Sequence, residues 1–379
     1  MSLPGVPTKR PGWLGLFSAD PINRGRQLEL DVARGLAVLF MVAIHGWLYF
    51  ATPIFQTSPL GEVIAFFGGV PSAAVFMFLL GVGVVYSSQA TPQKLAQRGL
   101  YILLASYGLN LLRGTLPALV AWRFLGDATA RASIFEESFC IDILQFAGLA
   151  LLWFAVIKSG QRFFTYAALS AVFFCLINFL LGARSTTSGL AAVTGLLWGS
   201  SSLSYFPFLT WIFYPLVGFL FGGCLIQCRD KSRFYLIMGL SAGLVGSLLY
   251  YVLALQLELD VGLESDIDYY HHGVWGNLLF SAWMIFWIAG LFFITRFLPR
   301  WVLGTLQRWS AHVAAIYFIH AILLGWLALA IDENSLATLG YLIFTGTLLA
   351  VSDLLAYYYH RHIARRAAGR LLPRSVQRG

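Results

Sequence analysis

The sequence predicts an all-α, polytopic integral membrane protein, a helix bundle with about ten transmembrane helices. Hydrophobic residues make up 59% of the 379 residues and charged residues only 11%, whereas soluble domains average about 45–50% and about 25%. Apolar runs of about 17 residues or more follow one another along the chain, and each is long enough to cross the hydrocarbon core of a bilayer as a helix. A soluble enzyme, a disordered chain and a disulfide-knit secreted domain are excluded.

The predicted spans are 31–50, 63–86, 99–121, 141–157, 163–181, 205–226, 234–255, 274–294, 309–331 and 336–359. Arg113 and Pro117 are expected to end the third span early. Residues 68–71, which include two glycines and a proline, interrupt the second span. Unwound backbone at membrane depth survives only where it is buried in protein or lines a cavity. We therefore expect this interruption to form part of the wall of a site near His45, with a plain helix kink as the alternative.

The distribution of Lys and Arg predicts the orientation. If the N-terminus is cytoplasmic, 21 of the 25 Lys and Arg residues fall on the cytoplasmic side, as the positive-inside rule requires. Both termini are then cytoplasmic, and the location is the cytoplasmic (inner) membrane. The chain divides into an N-terminal segment 1–27, a single transmembrane domain 28–360 and a basic tail 361–379. No cleaved signal peptide is expected, and the acidic loop 256–272 should lie outside.

Charge and cysteine content limit the partners. The basic excess orients the chain and faces anionic membrane lipid or a polyanionic cytoplasmic ligand, so the net charge of +8 needs no nucleic acid. The four cysteines form no framework, and Cys224 and Cys228 stand four residues apart with no histidine nearby. No metal site is expected.

The first predicted span carries charged and titratable side chains inside the membrane, where each is a functional candidate because its burial in lipid is costly. Arg34 and His45 are eleven residues apart. At about 100° per residue they face the same way on a helix, about 16 Å apart along its axis. Asp31, three residues before Arg34, shares that face. The alternative is an interfacial arginine that reaches the headgroups and a histidine that bonds a neighbouring carbonyl.

This pattern of Leu30-Asp31, Arg34 and His45 resembles the opening signature of the transmembrane acyltransferases. That group includes the acyltransferase-3 sugar O-acyltransferases and the heparan-α-glucosaminide N-acetyltransferase-like proteins. The latter resemble the chain further, in order, at residues 72–81, 142–148, 206–222 and 308–320. The resemblance therefore runs from residue 28 to about residue 325.

Two departures concern the chemistry and the acceptor. The heparan-modifying branch usually has Asn at the position of His45 and its catalytic histidine in the next luminal loop, but residues 51–62 contain no histidine. The role then falls on His45, as in the O-acyltransferase branch, or elsewhere. Phe146 stands where that family often has Arg, and Gln307 where it has Gly, which leaves the acceptor open.

The resemblance implies that an acyl group, most simply acetyl, moves from cytoplasmic acyl-CoA (acetyl-CoA) as co-substrate to an extracytoplasmic sugar, glycolipid or polysaccharide. Histidine suits such proton transfer near neutral pH, and cations suit the phosphates of the donor. The candidate catalytic residues are His45 and His320; the candidate donor-binding residues are Arg34, Asp31 and Arg308; the candidate acceptor-binding residues are His271 and His272.

Alternatives remain at each level. His320 could instead make an interhelical hydrogen bond, for which Asp353 is a candidate partner, and His271 and His272 could be interface residues. The whole chain could be a proton-coupled transporter or flippase of an envelope metabolite, with intramembrane His, Asp and Arg as its relay. It could also be a non-catalytic membrane protein. The sequence does not indicate an oligomeric state.

Overall fold

The computed structural model describes residues 15–182, 184–185, 191–200, 203–259, 261, 263 and 269–371. These residues are mainly helical, with one short parallel pair of strands, β1 (Arg184–Ser185) and β2 (Gly199–Ser200). The helices are α1 (Leu28–Phe50), α2 (Pro53–Gln56), α3 (Pro59–Gly68), α4 (Ala73–Tyr86), α5 (Pro92–Asn110), α6 (Leu116–Phe124), α7 (Ala130–Phe139), α8 (Ile143–Ser159), α9 (Phe163–Leu181), α10 (Ala191–Leu197), α11 (Phe208–Trp211), α12 (Phe213–Gln227), α13 (Lys231–Leu249), α14 (Val274–Ile294), α15 (Arg300–Leu327) and α16 (Thr338–Leu371).

The helices confirm an integral, multi-pass membrane bundle. Among the described residues, eight helical segments are long and apolar enough to cross a membrane. They are Leu28–Phe50, Pro59–Tyr86, Phe163–Leu181, Phe208–Gln227, Lys231–Gln256, Val274–Phe297, Arg300–Leu327 and Thr338–Ile363. The two other predicted spans, 99–121 and 141–157, are also helical, and the second corresponds to the shorter apolar helix Ile143–Ser159. Asp260, Gly262 and residues 264–268 of the acidic loop 256–272 lie outside the described residues.

The third predicted span does not end early, so that prediction is wrong. After α5 the chain widens into a π-helical turn, Leu111–Thr115, which contains Arg113 and leads directly into α6. Pro117 follows directly after this turn, in the first turn of α6. π-helical turns of this kind often occur at functional sites.

The predicted interruption of the second span is present. α3 ends at Gly68 and α4 begins at Ala73, and the intervening Ser72 is buried and donates its hydroxyl to the carbonyl oxygen of Ala37 on α1 at 3.4 Å. A Cβ on Gly68 would overlap the side chain of Ile44, the residue before His45. The break is therefore packed against α1 beside His45.

Glycines bring the site-bearing helices into backbone contact, as small residues commonly do in membrane bundles. A Cβ on Gly35 of α1 would overlap the carbonyl of Leu306 on α15. Gly99 on α5 and Gly148 on α8 face each other, since a Cβ on either would lie 2.8–2.9 Å from the carbonyl oxygen of the other. The first contact determines how closely α1 and α15 approach, and the second fixes α8.

Candidate functional site

A cluster in the N-terminal parts of α1 and α15, which we call the Arg34 cluster, consists of Arg26, Asp31, Arg34 and Ser310. Ser310 donates its hydroxyl to Asp31 Oδ1 at 2.9 Å and accepts a hydrogen bond from Arg34 Nη1 at 3.2 Å. Arg34 Nη1 lies 3.7 Å from Asp31 Oδ1, as their spacing predicts, and Arg26 pairs with the other carboxylate oxygen. The carboxylate is nearly buried, whereas the Arg34 side chain is 27% exposed.

The Arg34 cluster holds two cations and one anion, so it carries a net positive charge. Arg34 uses one nitrogen for Ser310 and Asp31, and its guanidinium has five N–H donors. A partly exposed arginine with free donor capacity can bind a phosphate group in a bidentate manner. The geometry therefore suits an anionic ligand at this end of α1.

Glu29 forms a second ion pair at the same end, which the sequence analysis missed. Its carboxylate is buried and accepts hydrogen bonds from Tyr235 at 2.8 Å and pairs with Lys231 at 2.7 Å. Lys231 also donates to Gln27 at 2.6 Å. These contacts tie α1 to α13. The available signal was an acidic residue in the first turn of a membrane helix, where an unpaired charge would be costly.

His45 and His320 meet near the other ends of α1 and α15, and we call them the histidine pair. His45 Nδ1 lies 2.9 Å from His320 Nε2. The rings are within 5° of parallel and their centroids are 5.2 Å apart, which exceeds the nitrogen–nitrogen distance by about two centroid-to-nitrogen lengths. The two imidazoles are therefore nearly coplanar and joined edge to edge.

Hydrogen bonding determines which nitrogens carry protons in the histidine pair. His320 Nδ1 lies 3.0 Å from the carbonyl oxygen of Ile316. Because a carbonyl only accepts, His320 Nδ1 carries the proton, and the Nε2 of a neutral ring is an acceptor. His45 then donates from Nδ1, which leaves the lone pair of its own Nε2 available. His320 is fully buried and His45 is partly exposed, so His45 is the ring that a substrate can reach.

A third group, the Asp142 cluster of Arg113, Asp142 and Tyr317, lies beside the histidine pair. Tyr317 on α15 donates its hydroxyl to Asp142 Oδ2 at 2.7 Å, and its ring centroid is 5.5 Å from that of His320. Arg113 Nη1 lies 2.6 Å from the same carboxylate oxygen. The carboxylate therefore carries an ion pair and a phenol bond next to two imidazoles.

Local sequence explains how the Asp142 cluster forms. Asp142 is the N-cap of α8, where it accepts from the backbone of Ile143 at 2.7 Å, and Gln145 completes a capping box. Arg113 belongs to the π-helical turn, and Gly325 of α15 lies directly against its backbone. In the sequence, Asp142 stands out only as the first residue of the family-like stretch 142–148. Its ion pair with Arg113 joins residues distant in the chain, which no local pattern reveals.

Arg308 lies apart from the Arg34 cluster. Its guanidinium makes a forked contact with Asp353 on α16, with nitrogen–oxygen distances of 2.7–3.2 Å. The suggestion that Asp353 is the partner of His320 is therefore wrong, because His320 bonds to His45 and Ile316. The Arg308 side chain is still 42% exposed.

His271 and His272 lie in the turn before α14. His271 Nε2 lies 2.8 Å from the carbonyl oxygen of Ser204. His272 is fully buried and bonds through Nδ1 to the carbonyl of Tyr269 at 2.6 Å and through Nε2 to the hydroxyl of Tyr214. Burial lowers the pKa of His272 to about 4, so the ring is neutral near pH 7.

Comparison with known proteins identifies the family. The family model described as heparan-alpha-glucosaminide N-acetyltransferase, catalytic, matches residues 26–254, more than half of the chain. The matched region contains Asp31, Arg34, His45, Arg113 and Asp142. No curated protein matches the chain. The family match and the apolar helices support a membrane acetyltransferase type of function, and the chain belongs to the heparan-alpha-glucosaminide N-acetyltransferase catalytic family.

Proposed function

We propose that the protein transfers an acetyl group from cytoplasmic acetyl-CoA to a hydroxyl or amine of an extracytoplasmic sugar, glycolipid or polysaccharide. The observation that carries the proposal is the hydrogen bond between His45 and His320. It orients His45 so that its Nε2 lone pair is available as a base deep in a membrane bundle. Acyl transfer to a hydroxyl or amine requires such a base.

The Arg34 cluster is the proposed donor end. Arg34 would bind a phosphate of acetyl-CoA, while Asp31 and Ser310 hold its side chain in position. Arg34 and His45 are about 16 Å apart along α1, a separation that the extended pantetheine arm of the donor would bridge. Arg308 remains a proposed second donor contact through its exposed face.

The proposed reaction uses one nitrogen of His45. Nε2 takes the proton of the acceptor O–H or N–H as the acceptor oxygen or nitrogen attacks the thioester carbonyl carbon. The carbon–sulfur bond breaks, and the CoA thiolate leaves and takes the proton back from His45. His271, which is partly exposed, is the proposed acceptor contact, whereas the buried His272 would act by holding the turn at 269–272.

Transfer of labelled acetyl from acetyl-CoA by the purified protein in lipid nanodiscs tests the proposal. We expect the wild type to transfer or hydrolyse acetyl-CoA and His45→Ala to lose about a hundredfold or more in kcat, the usual contribution of a general base. His362→Ala is the matched control, because it removes an exposed imidazole at the far end of α16.

Near-wild-type turnover of His45→Ala at matched expression would contradict the role of His45 and move the search to His320, His271 and His272. Absence of any acetyl transfer, together with solute counterflow in vesicles without CoA, would favour a transporter or flippase instead.

A further inference from the structure

The Asp142 cluster lies beside the histidine pair but takes no part in the proposed proton transfer. A buried carboxylate is costly unless it is paired, and Asp142 bonds to Arg113, Tyr317 and the backbone of Ile143. Helix capping alone would explain the last contact. It does not explain why a membrane protein places an ion pair next to two imidazoles.

We propose that Asp142 is a positioning residue for the acetyl transfer proposed above: its carboxylate supplies the negative charge that stabilises His45 after His45 has taken up the proton of the acceptor. The proposal rests on the proposed function. When Nε2 of His45 gains the acceptor proton, the ring becomes a cation and its Nδ1–H stays bonded to His320 Nε2. His45 becomes neutral again when the CoA thiolate takes the proton from its Nε2.

Hydrogen bonding favours the cation on His45 rather than on His320. His320 Nε2 already accepts the Nδ1–H of His45, and its own Nδ1–H is bonded to the carbonyl oxygen of Ile316. Within the histidine pair, the lone pair left to take up the acceptor proton is that of His45 Nε2. His320 therefore remains a neutral acceptor, held by the carbonyl of Ile316, and the positive charge stays on the ring that the substrate reaches.

Tyr317 links the two groups. It lies one turn before His320 on α15, so the same helix that carries His320 also reaches Asp142. The hydroxyl of Tyr317 and the guanidinium of Arg113, which belongs to the π-helical turn, both bond to Asp142 Oδ2 and hold it in place. A preorganised charge of this kind stabilises developing charge without reorganisation during the reaction.

Asp142→Asn tests the proposal, with kcat, the KM for acetyl-CoA and the melting temperature as readouts. Asparagine caps a helix about as well as aspartate, so the substitution removes the charge and keeps the cap. We expect kcat to fall about tenfold or more, while the KM for acetyl-CoA stays near the wild-type value. The melting temperature should fall, because the buried Arg113 loses its ionic partner. Asp230→Asn is the matched control, because Asp230 is the N-cap of α13 and does not belong to the Asp142 cluster.

The double variant Arg113→Gln/Asp142→Asn guards against misfolding, since it leaves no unpaired buried arginine. A kcat that stays low in the double variant supports the proposal, because the missing charge is that of Asp142. A kcat that returns to the wild-type value overturns it, because Asp142 would then serve only to neutralise Arg113.

His45→Ala in the same assay separates failure of the proposed function from failure of the proposed role of Asp142. An inactive His45→Ala beside an Asp142→Asn variant with normal kcat overturns this inference alone. An inactive wild type, or a His45→Ala variant as active as the wild type, overturns the proposed function and this inference with it.

Discussion

Gly35 on α1 lies directly against the backbone of Leu306 on α15. Because α1 and α15 run in the same direction, this single contact allows Arg34 to reach Ser310 at one end and His45 to reach His320 at the other. Both the Arg34 cluster and the histidine pair therefore depend on how closely α1 and α15 approach each other.

Gly35→Ala should separate these helices, because its Cβ would overlap the carbonyl of Leu306. We expect a loss of about 1–3 kcal/mol in unfolding free energy, typical of overpacking, and a lower kcat from the weakened His45–His320 bond. Thermal melting and acetyl transfer measure both. Gly83→Ala is the control, since nothing lies within 4 Å of its Cβ and it should be neutral or slightly stabilising. Equal behaviour of the two variants would contradict the prediction.

Arg34→Ala should raise the KM for acetyl-CoA by about tenfold or more, because a hydrogen bond to a charged group contributes about 1.5–3 kcal/mol. Arg34→Lys keeps the charge and loses the planar fork, so an intermediate KM is expected. Steady-state kinetics with varied donor measure this. Arg361→Ala removes an exposed arginine from α16 as a control. An unchanged KM in Arg34→Ala would remove the donor role from the Arg34 cluster.

Arg308→Gln and Asp353→Asn should each lower the melting temperature, and the double variant should lose less than their sum. The pair is partly exposed, so the coupling is expected to be about 1 kcal/mol or less. Kinetics then separate the two roles of Arg308. If Arg308 also contacts the donor, Arg308→Gln raises the KM for acetyl-CoA and Asp353→Asn does not. A KM equal to the wild-type value in all three variants would leave the ion pair with Asp353 as the sole role of Arg308.

His272 should make stability fall as the pH is lowered. Its pKa is about 6.5 when exposed and about 4 in the folded protein, because burial disfavours the charged ring. The unfolded chain therefore binds the extra proton, and the stabilisation is complete above about pH 6.5 and lost as the pH falls towards 4. Melting temperatures across this range measure it. His272→Gln should melt lower at pH 7.5 and show a shallower dependence; an unchanged slope would contradict the assignment.

The topology predicted from the Lys and Arg distribution is also testable. A reporter fused after Gly379 should be cytoplasmic, and one inserted near Ser265 should be external, because the positive-inside rule places the basic segments in the cytoplasm. Protease protection of the same fusions gives an independent measurement. A cytoplasmic loop at 256–272 would contradict the orientation and, with it, the donor end of the reaction.

Local patterns were sufficient for several features of the fold and site. The apolar runs predicted the helices, because the length and hydropathy needed to cross a bilayer are properties of a continuous segment. The spacing of Asp31, Arg34 and His45 placed them on one face, because helical periodicity alone sets that geometry. The Gly and Pro residues at 68–71 marked the break between α3 and α4, because these residue types interrupt a helix at their own positions.

The partners of these side chains depended on packing between distant parts of the chain. His45 bonds to His320, 275 residues away, and Tyr317 reaches Asp142 across 175 residues. Asp353 bonds to Arg308, although one alternative made it a candidate partner of His320. Membrane helices that are apolar on all sides do not show which face meets which neighbour, so rotation and register follow from backbone contacts such as Gly35 against Leu306. Those contacts, rather than helical periodicity, bring the histidine pair and the Asp142 cluster together.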